Sequence, residues 1–174
     1  GYGLQTSGID RLHEEGATVV FTVDCGVRSL AAAKRARELN IDLIVTDHHE
    51  PGDVLPNALG VINPKRKDSN YPCRDLSGAG IAFKVAQGIC VKLGRPVWVP
   101  GLIKIAAIGT MADVVSLQGE NRAIAKLGLE ALTAGRHTSG LKALLEVSKL
   151  DCKRVTSEDV GFRLAPRLNA AGRL

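Results

Sequence analysis

A chain of 174 residues, 45% hydrophobic and 24% charged, is long enough to bury one sizeable core and too apolar to be a disordered tail. Its apolar runs are too short to cross a bilayer, which argues against a membrane role and makes the cytoplasm the expected compartment. The net charge of +5 suits a polyanionic partner without demanding one, and an aromatic content of 3% argues against binding single strands by base stacking.

In chain order, Gly1-Tyr2-Gly3 precedes a helix, and residues 17–23 (ATVVFTV) form a β-branched apolar run typical of a strand. Asp24-Cys25-Gly26 makes a turn, and residues 29–40 form an alanine-rich helix. Residues 41–46 (IDLIVT) are a second strand, ending in Asp47-His48-His49 and the turn residues Glu50-Pro51-Gly52. A third, shorter strand over 59–62 stops at Asn63-Pro64. Strands of this kind alternating with helices predict an α/β fold: a parallel sheet with flanking helices over residues 1–64, covered on both faces. In such a sheet the loops at the carboxyl ends of the strands converge on a ligand site, and Asp24 and the Asp47-His48-His49 triplet fall at that edge.

Residues 64–77 read as a polar surface loop whose Lys65, Arg66 and Lys67 are ordinary solvated charges or a contact for nucleic acid. Beyond it, residues 78–174 form a mainly helical layer. Helices are predicted over 80–93, 101–113, 121–134, 140–150 and 158–168, the last capped by Thr156-Ser157. The four cysteines, Cys25, Cys73, Cys90 and Cys152, contain no C-x-x-C pair, so neither a zinc knuckle nor a dithiol redox motif is indicated.

An aspartate followed by two histidines at a strand end is a donor set for a divalent metal, although a turn-capping Asp beside two solvated histidines accounts for the tripeptide equally. Asp24 adds to the metal reading, because adjacent strand ends lie only about 5 Å apart. Asp113 follows the apolar segment IAAIGTMA, where a carboxylate is costly unless paired, capped or metal-bound; it also suits the end of a helix. Gly78-Ala79-Gly80 precedes a helix and offers either a phosphate cradle of N–H groups or a close-packed helix start.

Taken together, these residues resemble the RecJ-like branch of the DHH phosphoesterases. The resemblance rests on Val23-Asp24-Cys25-Gly26, Thr46-Asp47-His48-His49-Glu50-Pro51, Leu76-Ser77-Gly78-Ala79-Gly80, Gly109-Thr110-Met111-Ala112-Asp113-Val114-Val115, Gly119-Glu120-Asn121-Arg122 and Leu168-Asn169-Ala170-Ala171-Gly172-Arg173, and it covers the whole chain. It implies an exonuclease specific for single-stranded DNA, running 5′ to 3′ in repair and recombination, with a single-strand-binding protein and a helicase as companions. Oligoribonucleotide or cyclic-dinucleotide phosphodiesterases of the superfamily, and a non-catalytic scaffold, are the alternatives. The implied cofactor is Mn2+ or Mg2+ at a two-metal site, where the ions bind the scissile phosphate and activate water.

By the same resemblance Asp24, Asp47, His48 and Asp113 are the expected metal residues. Asp24, His48, His49 and Asp113 are the expected catalytic group, and Gly78, Gly80, Asn169 and Arg173 the expected phosphate or DNA contacts. The family's Asp-x-Asp-x-Asp-Gly loop does not occur in the sequence. It is expected upstream of Gly1, and the substrate-binding domain beyond Leu174, so the segment reads as a truncated catalytic domain, inactive alone.

Overall fold

The structure, a computed structural model, describes residues 3–150 and 154–171. The chain divides into two compact units, residues 1–81 and 82–174.

The first unit runs α1 (Thr6–Glu14), β1 (Val19–Val23), α2 (Leu30–Glu38), β2 (Asp42–Thr46) and β3 (Gly60–Ile62). The strands form one parallel sheet in the order β1-β2-β3. Parallel strands need a crossover, and α2 supplies the one between β1 and β2. Its Ala32, Ala33 and Ala36, all buried, pack with Ile9 of α1 against Val20, Leu43 and Val45 of the sheet. Three alanines on one helix face let the helix lie close to the strands, and apolar area removed from water on both sides drives the contact. An ion pair from Arg35 Nε to Asp10 Oδ1, at 2.6 Å, ties α2 to α1 at the rim of this core.

Burial along β1 alternates: Val20 and Thr22 are buried, while Val19, Phe21 and Val23 are exposed. Within this segment the face of β1 that carries Val19, Phe21 and Val23 is open, while α1 and α2 pack against the other. The strand's run of five β-branched and aromatic residues carries no alternation, and composition alone cannot show which face the helices leave bare.

α3 (Gly78–Lys92) begins two residues before the predicted start, because Ser77 caps it: the buried Ser77 Oγ accepts from Gly80 N–H at 2.9 Å. The second unit continues with α4 (Val99–Ala112), α5 (Gly119–Thr133) and α6 (Ser139–Val147). It closes on α7 (Ser157–Asp159), a π-helical turn over Val160–Leu164 and α8 (Ala165–Ala171). The single helix predicted over 158–168 is thus interrupted by the π turn. Its start is as read: Thr156 and Asp159 form a capping box, in which each side chain bonds the other residue's backbone N–H. Among the described residues no helix is long and apolar enough to cross a membrane.

The tightest helix contact of the second unit is α4 on α5, at Gly128. A Cβ there would overlap the Cβ of Ala107 and stand 3.0 Å from the carbonyl oxygen of Ile103. Alanine favours a helix interior over glycine by about 1 kcal/mol, so propensity and packing oppose each other at this position. We expect Gly128→Ala to lower stability by about 1–3 kcal/mol through overpacking. Chemical denaturation measures it, and an unchanged or raised midpoint would show that α4 and α5 do not approach this closely.

Candidate metal centre

The register decides which residues meet at the carboxyl edge. Val23 pairs with Thr46 and Thr46 with Ile62, so the next residue of β1, Asp24, and the next of β2, Asp47, leave the sheet side by side. The ladder extends one step beyond the strands: Asp24 N–H donates to Thr46 O at 3.0 Å, and Asp47 N–H to Ile62 O at 3.1 Å. Two buried threonines fasten the same edge. Thr46 Oγ1 donates to Thr22 O and Thr22 Oγ1 to Cys25 O, both at 2.7 Å.

Asp24 has φ 65, a left-handed conformation that Asp tolerates better than most residues. This turns the chain sharply off β1, and Gly26 at φ 109 completes the turn under Val45 and Thr22, where a Cβ would be crowded at 3.2 and 3.1 Å.

Asp47 was expected among the metal ligands, but its side chain is turned inward. It is 2% exposed, and its carboxylate takes hydrogen bonds from its own loop and from the turn before α2. Oδ2 accepts from Val27 N–H at 2.9 Å; Oδ1 accepts from His48 N–H at 2.9 Å, His49 N–H at 3.2 Å and the His49 ring at 2.7 Å. Burial pushes this carboxyl up, yet the bonds from Val27 and His49 outweigh it and hold it below the ordinary carboxylate value. An ionised carboxylate can only accept, so His49 donates from Nδ1 and its Nε2 is the nitrogen left to act as a ligand. In this structure Asp47 is spent on these bonds and orients the His49 ring.

His48 is nearly buried, and its Nε2 stands 3.1 Å from Asp24 Oδ1. The two imidazoles lie with centroids 4.5 Å apart. Asp24, His48 and His49 each offer a donor atom, and these atoms lie within 4.8 Å of one another. One carboxylate oxygen and two imidazole nitrogens at that spacing fit a divalent cation of intermediate hardness such as Mn2+. A cleft of about 920 Å3 opens alongside, lined by Gly3, Gln5, Asp24, Arg28, Asp47 and His49 among others. Cys25 borders it, its thiol pushed up by burial and by the charges of Asp47 and Asp24, which makes it a poor thiolate ligand.

Asn63 was not singled out in the sequence. It is 3% exposed, donates from Nδ2 to His49 O at 2.9 Å, and accepts from Lys65 N–H at 2.8 Å, so it bolts the histidine loop to the end of β3. Its place one residue after the third strand, at the same edge as Asp24 and Asp47, was the available signal. Gly78 sits in the first turn of α3 against the Asp24 carboxylate, and Gly80 N–H is already engaged by Ser77. Asp113 belongs to the second unit, where it is exposed and ends α4, its N–H donating to Gly109 O at 3.0 Å. The cost of burying a carboxylate therefore does not arise there. Asn169 is exposed on α8, and Arg173 lies outside the described residues.

Residues 4–110 match the model of the DHH family, N-terminal domain. The chain belongs to the DHH family. Along its full length this DHH chain is 43% identical to the single-stranded-DNA-specific exonuclease RecJ of Escherichia coli and 44% identical to that of Bacillus subtilis. It spans 32% and 21% of those proteins, so it corresponds to about a third of the former's length or less. Among solved structures it is similar to RecJ of Thermus thermophilus in complex with Mn2+, with a TM-score of 0.81 at 35% identity over 97% of this chain and 25% of that one. It is similar also to an exonuclease RecJ bound to manganese, with a TM-score of 0.82 at 36% identity over 99% and 43% of the two chains.

The Asp47 network predicts a separation of stability from chemistry. Asp47→Ala strands several buried donors and is expected to cost about 3 kcal/mol in chemical denaturation. Asp24→Ala, at an exposed side chain, is expected to stay within about 1 kcal/mol of the parent. Equal losses for both would mean that Asp47 does not organise the loop.

Proposed function

We propose that the protein carrying this DHH chain is a manganese-dependent exonuclease that hydrolyses phosphodiester bonds of single-stranded DNA from the 5′ end, in repair and recombination. The observation that carries the reading is the convergence of Asp24, His48 and His49 donor atoms at the carboxyl edge of a parallel sheet. Similarity to the named exonucleases supplies the substrate class.

Within this reading Asp24 and His48 are direct ligands and His49 presents Nε2, fixed by Asp47. Bound there, a divalent cation supplies charge neutralisation for the scissile phosphate and lowers the pKa of water. The protein's own part is to hold three donors at ligand spacing and to leave a cleft beside them for the strand. For Asp113 we propose a ligand role, and for Asn169 and Arg173 contacts with the DNA backbone, on their sequence motifs. For the turn at Gly78 and Gly80 we propose phosphate binding, with Gly78 N–H as the donor because Gly80 N–H serves the cap. A helicase that supplies the single strand and a single-strand-binding protein that keeps it open are the proposed partners, and the cytoplasm is the proposed compartment.

In the full-length protein with Mn2+, Asp24→Ala and His48→Ala are each expected to reduce cleavage of 5′-phosphorylated single-stranded DNA by at least ~100-fold, the loss of roughly 3 kcal/mol of transition-state stabilisation. Unchanged rates would remove the site assignment, and a preference for a dinucleotide over the DNA strand would replace the substrate. Residues 1–174 alone are expected to show no manganese-dependent nuclease activity, as read by release of labelled nucleotide from the same strand.

A further inference from the structure

Gly78 is a glycine for which the backbone gives no reason. Its φ lies outside the left-handed region, and the first turn of a helix accepts alanine at no conformational cost. The atoms nearest to an added methyl all belong to one side chain. A Cβ at Gly78 would come within 2.7 Å of Asp24 Cγ and 3.1 Å of Asp24 Cβ, and closer still to Oδ1. The atom in conflict is the one that faces His48 Nε2 at 3.1 Å.

Asp24 cannot yield by moving its backbone. That backbone is held at φ 65 by the bond from its N–H to Thr46 O, and the next carbonyl, Cys25 O, is held by Thr22 Oγ1. It can yield by turning its carboxylate to another rotamer, since the side chain is half-exposed. Such a turn removes the two closest overlaps, leaves Asp24 Cβ to give by only a few tenths of an ångström, and takes Oδ1 away from the donor cluster.

The geometry points to Gly78 as a positioning residue of the metal centre: its missing side chain is the space that holds the Asp24 carboxylate at ligand distance from His48. The inference rests on the proposed metal role of Asp24. It concerns the placement of the ligand, whereas phosphate binding at the same turn uses the Gly78 N–H, which an alanine keeps.

The test uses the full-length protein and Mn2+ alone, titrated calorimetrically, with thermal denaturation in parallel. Gly78→Ala is expected to weaken manganese binding by about 10–100-fold, the range for residues that orient a ligand, while the melting temperature stays level or rises. Gly88→Ala, in the same helix with nothing within 4 Å of the added methyl, is the control: it is expected to leave manganese affinity unchanged and to keep or raise the melting temperature. Parent-like manganese affinity in Gly78→Ala, or a drop in its melting temperature comparable to the loss of binding, overturns the proposal. Asp24→Ala tells the two readings apart. If it too binds manganese like the parent, the ligand role of Asp24 falls and this inference with it; if it loses binding while Gly78→Ala does not, only the role of Gly78 falls.

Discussion

A buried carboxylate holds the edge of this sheet together. Asp47 takes bonds from Val27, His48 and His49 on two oxygens, and with them it joins the end of β2, the turn before α2 and the histidine loop. A charge at this depth persists only when it is hydrogen-bonded on every side, and four donors meet that demand. The arrangement is costly to leave incomplete, which makes it specific: few other conformations of residues 47–49 bring so many donors to one group.

The exposed members of the site depend on that buried one. His49 is fixed in tautomer and direction by Asp47, and its carbonyl is fastened by Asn63 at the end of β3. Asp24 owes its place to the ladder that continues past β1 and to the gap at Gly78. A rigid edge of this kind presents donors in advance, so that a cation meets ligands already at spacing and little ordering remains to be done on binding. The proposed division is that the inner layer carries stability and the outer layer chemistry, one being buried and the other half in water.

The second unit shows the same economy in its packing. Gly128 lets α5 lie against Ala107 of α4, and the capping box at Thr156 and Asp159 starts the last helical segment where the chain would otherwise leave amide groups unbonded. The π turn over Val160–Leu164 lies between α7 and α8, in a stretch where Val160 and Leu164 are both fully buried. A one-residue widening of the helix moves side chains around the axis by a large angle, and no periodicity in the sequence announces it.

Legible in the sequence were the strand–helix alternation and a set of candidate donors, Asp24, Asp47, His48, His49 and Asp113, of which the first four fall at the carboxyl ends of strands. These follow from local pattern: β-branched runs, an alanine-rich helix, and donor groups at strand ends. Only the tertiary structure decided which carboxylate faces inward. Asp24 and Asp47 occupy equivalent positions after their strands, and nothing local separates them; the left-handed turn at Asp24 sends one outward, and the amides of Val27, His48 and His49 draw the other in. Nor could the sequence show the bare face of β1, the role of Asn63, or the space at Gly78. Each is a relation between residues distant in the chain, fixed by register and packing, which composition and spacing do not encode.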